Sequence, residues 1–541
     1  MDKRTILAIV LSLILVMGYQ YFFQKPNEAQ KATEQAATAT APVAAGGTDK
    51  PAESTQQIAS YRHVIVEKLS ETVAEENITV ESPLFIATFS TRGGALKSFK
   101  LKNYKKEVGT SADLIELVDV KETTDYPLSF ALPDSTVTVP FNLSYRTDKS
   151  MVNLASSDKP QDLTFTKKVS DDFEIRKTYT FYPGKYAFDL SVEVVNGSAD
   201  AWQEKAVLTW TQYVDPAMEK GKYSHEGPAY SIGNTFETVE EKKMEARKLY
   251  GPNIYWAGYE TKYFISSLIP AQPSLTNLVL AKNGDNSIKI DLEGQNTVIL
   301  PGQRGIFRYR IYLGPKDYDI LKAENAGLEN SINFGSWIKW LALPLLVVLK
   351  TIYQYVPNYG MAIIILTILI KMIFWPLGNM SYRSMKKMQQ LQPQMQQLRD
   401  KYKNDKARLN QEVMGLYKTH KVNPMGGCIP IVVQLPVFFG LYRSLLYSID
   451  LRHAPFLLWI QDLSAKDPYY ITPIIMGATM FIQQKMTPTP GGNEMQAKLM
   501  LWMPVIFTFM FLSFPSGLVL YWLFNNILSI GQQYFINKRS A

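Results

Sequence analysis

Cysteine is almost missing from this chain: its 541 residues contain one, Cys428. An intramolecular disulfide is therefore unavailable, and a cysteine metal cluster is excluded. Histidine is scarce too. His63, His225, His420 and His453 include no pair at metal-ligand spacing. No glycine-rich loop has the spacing of a phosphate cradle. No set of acid, base and nucleophile forms a pattern that points to catalysis. Acidic residues run short in one place. Between residues 380 and 422, ten Lys/Arg face only Asp400, Asp405 and Glu412, a balance of +7 in a chain whose total is +8. These gaps count against a metalloenzyme, a disulfide framework and a phosphate-loop enzyme. No enzyme activity, cofactor or metal is expected.

What is present is apolar length. The chain is 46% hydrophobic with mean hydropathy −0.10. That is too polar for an all-membrane transporter and too rich in long apolar runs for a soluble enzyme. Residues 1–23 pair a charged start (Asp2-Lys3-Arg4) with an apolar run that ends in Tyr19-Gln20-Tyr21-Phe22-Phe23. With no small-x-small site beside it, this reads as an uncleaved signal anchor whose N-terminus is cytoplasmic. Residues 24–60 are rich in Ala, Thr, Gln, Glu and Pro and read as a flexible linker. From 61 to 330 the apolar period becomes two, as in 77–102, 173–196 and 287–313, with turns at Arg92-Gly93-Gly94 and Pro183-Gly184. That pattern predicts antiparallel strands in a large β-sandwich outside the cytoplasm.

Residues 331–356 carry Trp337, Trp340 and leucines interrupted by Lys339, Pro344 and Lys350. They suit an amphipathic helix lying in the interface, with a true span as the alternative. Transmembrane helices are predicted near 358–378, 428–447, 469–485, 499–513 and 517–535, the last two divided by Phe514-Pro515-Ser516-Gly517. With the anchor they make six spans and put both termini in the cytoplasm, in agreement with Lys538 and Arg539. Segment 380–422 has helical spacing in Met385, Met388, Leu391, Met395 and Leu398, and again in Leu409, Val413 and Leu416. It predicts a cytoplasmic helical hairpin. Two readings of its methionines stand: packing between the helices, or an adaptable surface for apolar partners. Its basic excess follows from positive-inside bias, with ribosome or anionic-lipid contact as a second use; no direct nucleic-acid function is expected.

Lys371 sits inside the apolar run 359–377, which as a helix is about 28 Å long. A charge at that depth costs about 2.5–3.5 kcal/mol on insertion scales. Either the side chain snorkels to the nearer interface or it serves an intramembrane site. Thr367, four residues earlier, shares its face. Gln434, Asn525, Asn526 and Ser529 are the other polar residues within the predicted spans that stand out. They suit interhelical hydrogen bonds or a wet groove. No second strong charge accompanies Lys371 to form an ion relay, which counts against a coupled transporter, although a small-solute transporter or channel is retained as the alternative.

Several stretches are diagnostic. They are Thr91-Arg92-Gly93-Gly94, Asn423-Pro424-Met425-Gly426-Gly427-Cys428, Gln434-Leu435-Pro436, Ala454-Pro455-Phe456, Asp462-Leu463-Ser464-Ala465-Lys466-Asp467-Pro468 and Phe514-Pro515-Ser516-Gly517-Leu518. On these the chain resembles the YidC/Oxa/Alb family of membrane protein insertases, in its long form with a large periplasmic domain. The resemblance implies a five-helix insertase core around a positively charged groove, a periplasmic β-super-sandwich and a substrate- and ribosome-contacting hairpin. It implies insertion of nascent membrane-protein clients into the bacterial inner membrane, alone or with the Sec translocon. Lys371 matches the family's groove arginine, which keeps the charge but loses the bidentate fork. By the same matching Thr367 and Gln434 would be groove residues, and Asn526 joins them from the polar set within the spans. Met510, Tyr521 and Trp522 would lie on the path to lipid, and Met385, Met388, Leu391 and Met395 would be hairpin contacts.

Overall fold

In a computed structural model of the chain, residues 64–65 and 74–539 are described, apart from 110–111, 121–124, 134, 217–224, 234, 285, 336, 404, 421, 423–428 and 487–493. The anchor expected at 1–23, the linker at 24–60 and the motif ending in Cys428 lie outside the described residues. Residues 61–490 and 500–541 form one compact unit.

Alternation of buried and half-buried residues builds the β domain. In Phe173–Phe181 every second side chain is buried, which turns one face of the strand inward. This strand belongs to an antiparallel eight-stranded sheet that also contains Gln161–Ser170, Ala187–Asn196, Arg304–Pro315, Phe264–Pro270 and Ile254–Glu260. A five-stranded sheet around Phe85–Ser90 and Ala95–Lys105 packs on it through aromatic side chains. Phe89 lies 4.7 Å from Tyr179 and 5.8 Å from Phe181, ring centre to ring centre. Phe130 of a second five-stranded sheet meets Phe307 at 5.8 Å. Offset and tilted aromatic pairs of this kind add to the burial of their area.

A buried lysine fastens this core. Lys177 occupies an inward position of Phe173–Phe181, and its Nζ donates to the carbonyls of Gly93 and Leu128, each at 2.8 Å. The Tyr179 hydroxyl donates to the Gly94 carbonyl at 2.7 Å. Gly93 and Gly94 have φ of +75° and +50°. A Cβ on Gly93 would come within 2.8 Å of Ser129 Oγ and 2.9 Å of a backbone oxygen, so this turn needs glycine for both shape and space.

The helical part begins with α1 (Tyr318–Ala323), whose N-terminal amides are capped by Asp317. There follow α2 (Lys339–Tyr355), α3 (Tyr359–Ile373), α4 (Trp375–Gln390), α5 (Gln392–Lys401), α6 (Lys406–Thr419), α7 (Ile429–Tyr447), α8 (Ile471–Met486), α9 (Glu494–Phe511) and α10 (Ser516–Arg539). α10 packs along α3 and α8, while α2 packs on α7 and α3. Lys350 of α2 is ion-paired to Asp317 at 2.8 Å, Asp319 at 3.1 Å and Asp450 at 3.5 Å, which ties the helices to the end of the β domain.

The single helix expected near 358–378 is two helices. α3 and α4 meet at Phe374 with a bend of 64°. Pro376 explains the break, because it lacks an amide donor and restricts Trp375, so it suits the first turn of a new helix. With its 15 residues, α3 spans about 22 Å, short of a hydrocarbon core of about 30 Å. Among the described residues no single helix is long and apolar enough to cross a membrane, and the bent α3–α4 pair passes that test together.

The segment expected to form a hairpin is built from the end of α4, then α5 and α6. Met388, Leu391 and Met395 are buried against Tyr417 and Val422, with Val413 and Leu416 alongside. The Tyr417 hydroxyl lies 3.2 Å from Met395 Sδ. These methionines are internal packing of the hairpin.

Candidate functional site

α3, α4, α7, α8, α9 and α10 enclose a cavity of about 450 Å³. α10 supplies its most regular wall. Tyr521, Trp522, Asn525, Asn526, Ser529 and Gln532 recur at helical spacing and face inward. The other helices contribute Lys371, Tyr382, Met385, Gln434, Phe438, Met480 and Phe507, among others, and among the described residues no Asp or Glu lines the space. Among the described residues no cluster of three or more His, Cys, Asp or Glu could hold a metal ion.

The polar end is a hydrogen-bonded relay. Lys371 Nζ donates to Ser529 Oγ at 2.7 Å, and Ser529 Oγ donates to the Asn525 carbonyl at 2.7 Å. Gln434 Nε2 donates to Asn525 Oδ1 at 2.8 Å, which joins α7 to the same turn of α10. Asn526 Nδ2 reaches Thr479 Oγ1 at 3.3 Å, and Gln532 Nε2 donates to Asn379 Oδ1 at 3.0 Å. Lys371 is therefore aimed across the helix bundle at α10. An ammonium carries three donors, and Ser529 takes one of them. Two donors remain, and Lys371 is one of the residues that line the cavity.

The other end is aromatic. Trp522, two turns before Ser529 on α10, meets Phe438 edge-on at 4.8 Å and packs against Phe507 and Phe511 at 6.2 and 5.2 Å. A seven-residue step along a helix is about 10 Å, so charge and aromatic wall lie within one short peptide's reach.

The residues expected from the sequence divide on their placement. Lys371, Gln434, Asn526, Tyr521, Trp522 and Met385 all line the cavity. Thr367 does not. It is buried, and its hydroxyl donates to the Ile363 carbonyl of its own helix at 2.7 Å. It lies one turn deeper than Ile370, where the lining of α3 begins. Met510 is also outside the lining and is exposed on the flank of α9, while Phe507 and Phe511 turn toward Trp522. Met388, Leu391 and Met395 belong to the hairpin's interior. Ser529 lines the cavity as one of the polar residues that suited a wet groove, whereas Tyr382 and Gln532 join the site only in the structure. The stripe of Asn525, Ser529 and Gln532 at spacings of four and three was the available signal for Gln532.

Residues 77–348 match the family described as the YidC periplasmic domain, and residues 351–541 match the family of the 60Kd inner membrane protein. The membrane protein insertase YidC of Syntrophus aciditrophicus (strain SB) is 54% identical over 100% of both chains. That of Geotalea daltonii (strain DSM 22248 / JCM 15807 / FRC-32) is 43% identical over 99% of both. A crystal structure of an active YidC insertase, with its first transmembrane domain resolved, is similar over 86% of this chain and 93% of that one, at 18% identity and a TM-score of 0.37. On the two family matches and the full-length relatives, this chain belongs to the YidC family of membrane protein insertases.

Proposed function

We propose that the chain inserts nascent membrane proteins through the cavity between α3 and α10, and that Lys371 is its working charge. One observation carries this reading: a lysine within an apolar helix donates to Ser529 beside a cavity of about 450 Å³ that, among the described residues, no carboxylate lines. A short polar tail entering that space meets hydrogen-bonding groups instead of hydrocarbon, where each unsatisfied group costs several kcal/mol. Lys371 attracts acidic residues of the tail. Gln434, Asn525 and Asn526 offer neutral partners, and Ser529 keeps the ammonium from relaxing to the membrane surface. The client's apolar helix then passes Tyr521 and Trp522 into lipid, driven by removal of its surface from water.

In this reading the bundle spans the inner membrane six times, counting the anchor at 1–23, with both termini and the hairpin in the cytoplasm and the β domain in the periplasm. The exposed basic residues of α4 to α6 face the ribosome and anionic lipid, and the chain works alone or beside the Sec translocon. The step needs no covalent chemistry.

The test is complementation. In bacteria depleted of their own insertase, wild-type chain, Lys371→Arg and Lys371→Ala are expressed to equal membrane levels, and insertion of a short-tailed client is followed by protease accessibility. Wild type and arginine are expected to rescue, and alanine to fail with acidic tails. Equal rescue by all three removes the charge from the mechanism. Solute flux in vesicles holding the purified chain would instead favour a channel.

A further inference from the structure

The loop between α7 and α8 knits together the starts of three helices. Asn358, which caps α3, donates its Nδ2 to the Phe456 carbonyl at 3.0 Å. Ser516 N and Gly517 N, at the start of α10, donate to the carbonyls of Ala465 and Leu463 at 2.7 and 2.9 Å. Asp467 accepts from Tyr469 N at 2.9 Å and Thr472 N at 2.7 Å at the start of α8. The loop's tip is held just as firmly: Phe456 N donates to the Ile460 carbonyl at 2.9 Å, and Ile460 N to the Leu457 carbonyl at 3.1 Å.

This rigid tip presents two leucines outward. Leu457 is 56% exposed and Leu458 79%, and Leu458 is held at φ +55°, a conformation that a branched side chain rarely adopts. Exposed single leucines are ordinary on soluble proteins. This pair is different because it continues an apolar surface. Trp459 Nε1 donates to Asp467 Oδ2 at 3.2 Å, which sets the tip beside the first turn of α8. From there Tyr469, Tyr470, Ile471, Ile474 and Ile475 are all exposed along the helix. Aromatic residues leading into an aliphatic helix face are the pattern of a membrane interface.

We propose that Leu457 and Leu458 are seated in lipid at the extracytoplasmic interface, continuous with the lipid-facing side of α8. The occupant is the bilayer itself, and the inference rests on the membrane placement proposed above. The tip then anchors the end of the bundle remote from the hairpin and holds the starts of α3, α8 and α10 at a fixed depth.

The experiment places a nitroxide at Leu458→Cys, and separately at Leu457→Cys, in the full chain carrying Cys428→Ala. The protein is reconstituted in phosphatidylethanolamine–phosphatidylglycerol vesicles. Collision with oxygen is compared with collision with a water-soluble nickel complex. Ile475→Cys gives the lipid reference and Asp171→Cys, on the exposed surface of the β domain, the water reference. Both tip labels are expected to favour oxygen over nickel, as Ile475 does. Tip labels matching Asp171 while Ile475 favours oxygen overturn this inference alone. If Ile475 also matches Asp171, the membrane placement falls with it.

Discussion

Lys177 and Lys371 are both withdrawn from bulk water, and they are used in opposite ways. Lys177 lies in the β domain with its Nζ donating to two backbone carbonyls, and nothing of it reaches solvent. Burial holds its amine well below the usual lysine range. Beside its two carbonyl acceptors, the rings of Tyr145 and Tyr179 lie 5.7 and 5.6 Å from its Nζ, so its polar end is enclosed on every described side by partners of the β domain. Lys371 meets one hydroxyl and faces open volume. Burial of a charged residue type is therefore not by itself a sign of function. The number of acceptors already engaged, and the space in front of the rest, separate a fastener from a site.

The comparison breaks most visibly at the fastener. Lys177→Met keeps the stem but leaves the Gly93 and Leu128 carbonyls without this donor, at about 1–3 kcal/mol each. Denaturant unfolding of the full chain in detergent should show the β domain losing about 2–6 kcal/mol. Folded protein that survives should insert clients normally. Lys371→Ala should do the reverse: unchanged unfolding, with insertion of acidic-tailed clients slowed about tenfold, equivalent to ~1.4 kcal/mol of lost attraction. Neutral-tailed clients should be affected less, which a tail-charge series would reveal.

Ser529 sharpens the contrast at smaller scale. Ser529→Ala removes the acceptor that aims Lys371, worth about 0.5–1.5 kcal/mol. Insertion should fall severalfold and lose selectivity for acidic tails, with Ser529→Thr restoring both. Equal losses for acidic and neutral tails would assign Ser529 to packing.

The smallest effect concerns another buried ionisable group, Glu204. Burial pushes the Glu204 carboxyl from its ordinary 4.5 up to about 7, although Val137 N donates to it at 3.3 Å. Between those values the folded chain holds a proton that the unfolded chain has released, so this group lowers stability as pH rises from about 4.5 to 7. Glu204→Gln should flatten that slope, with its benefit present at pH 8 and gone at pH 4, as read by thermal unfolding across the range.

Much of this was legible in the sequence, for physical reasons that differ by element. Strand alternation is set by the pleat, so Phe173–Phe181 could be read directly, and the same alternation places Lys177 inward. Its meaning was hidden because both acceptors lie at least 49 residues away. The run 359–377 reads as one apolar helix because hydropathy does not register the restriction that Pro376 places on Trp375. Thr367 shares a helix face with Lys371, but sequence spacing cannot say at which turn the neighbouring helices part to leave a cavity. The methionine spacing was plain, yet only the packing of α5 on α6 separates Met385, which lines the cavity, from Met388 and Met395, which do not.

The break at Phe374 has a mechanical consequence. α4 carries Ser381, Tyr382 and Met385 on the cavity and, three residues further, Met388 inside the hairpin. One rigid rod thus joins the outer arm to the chamber wall, with its fulcrum where Pro376 interrupts the chain. Met385 stands about 16 Å along that rod from Phe374, so a swing of about 10° displaces it by about 3 Å. Any rotation about that break therefore moves the hairpin end of α4 and the cavity wall together, so the two are geometrically one body.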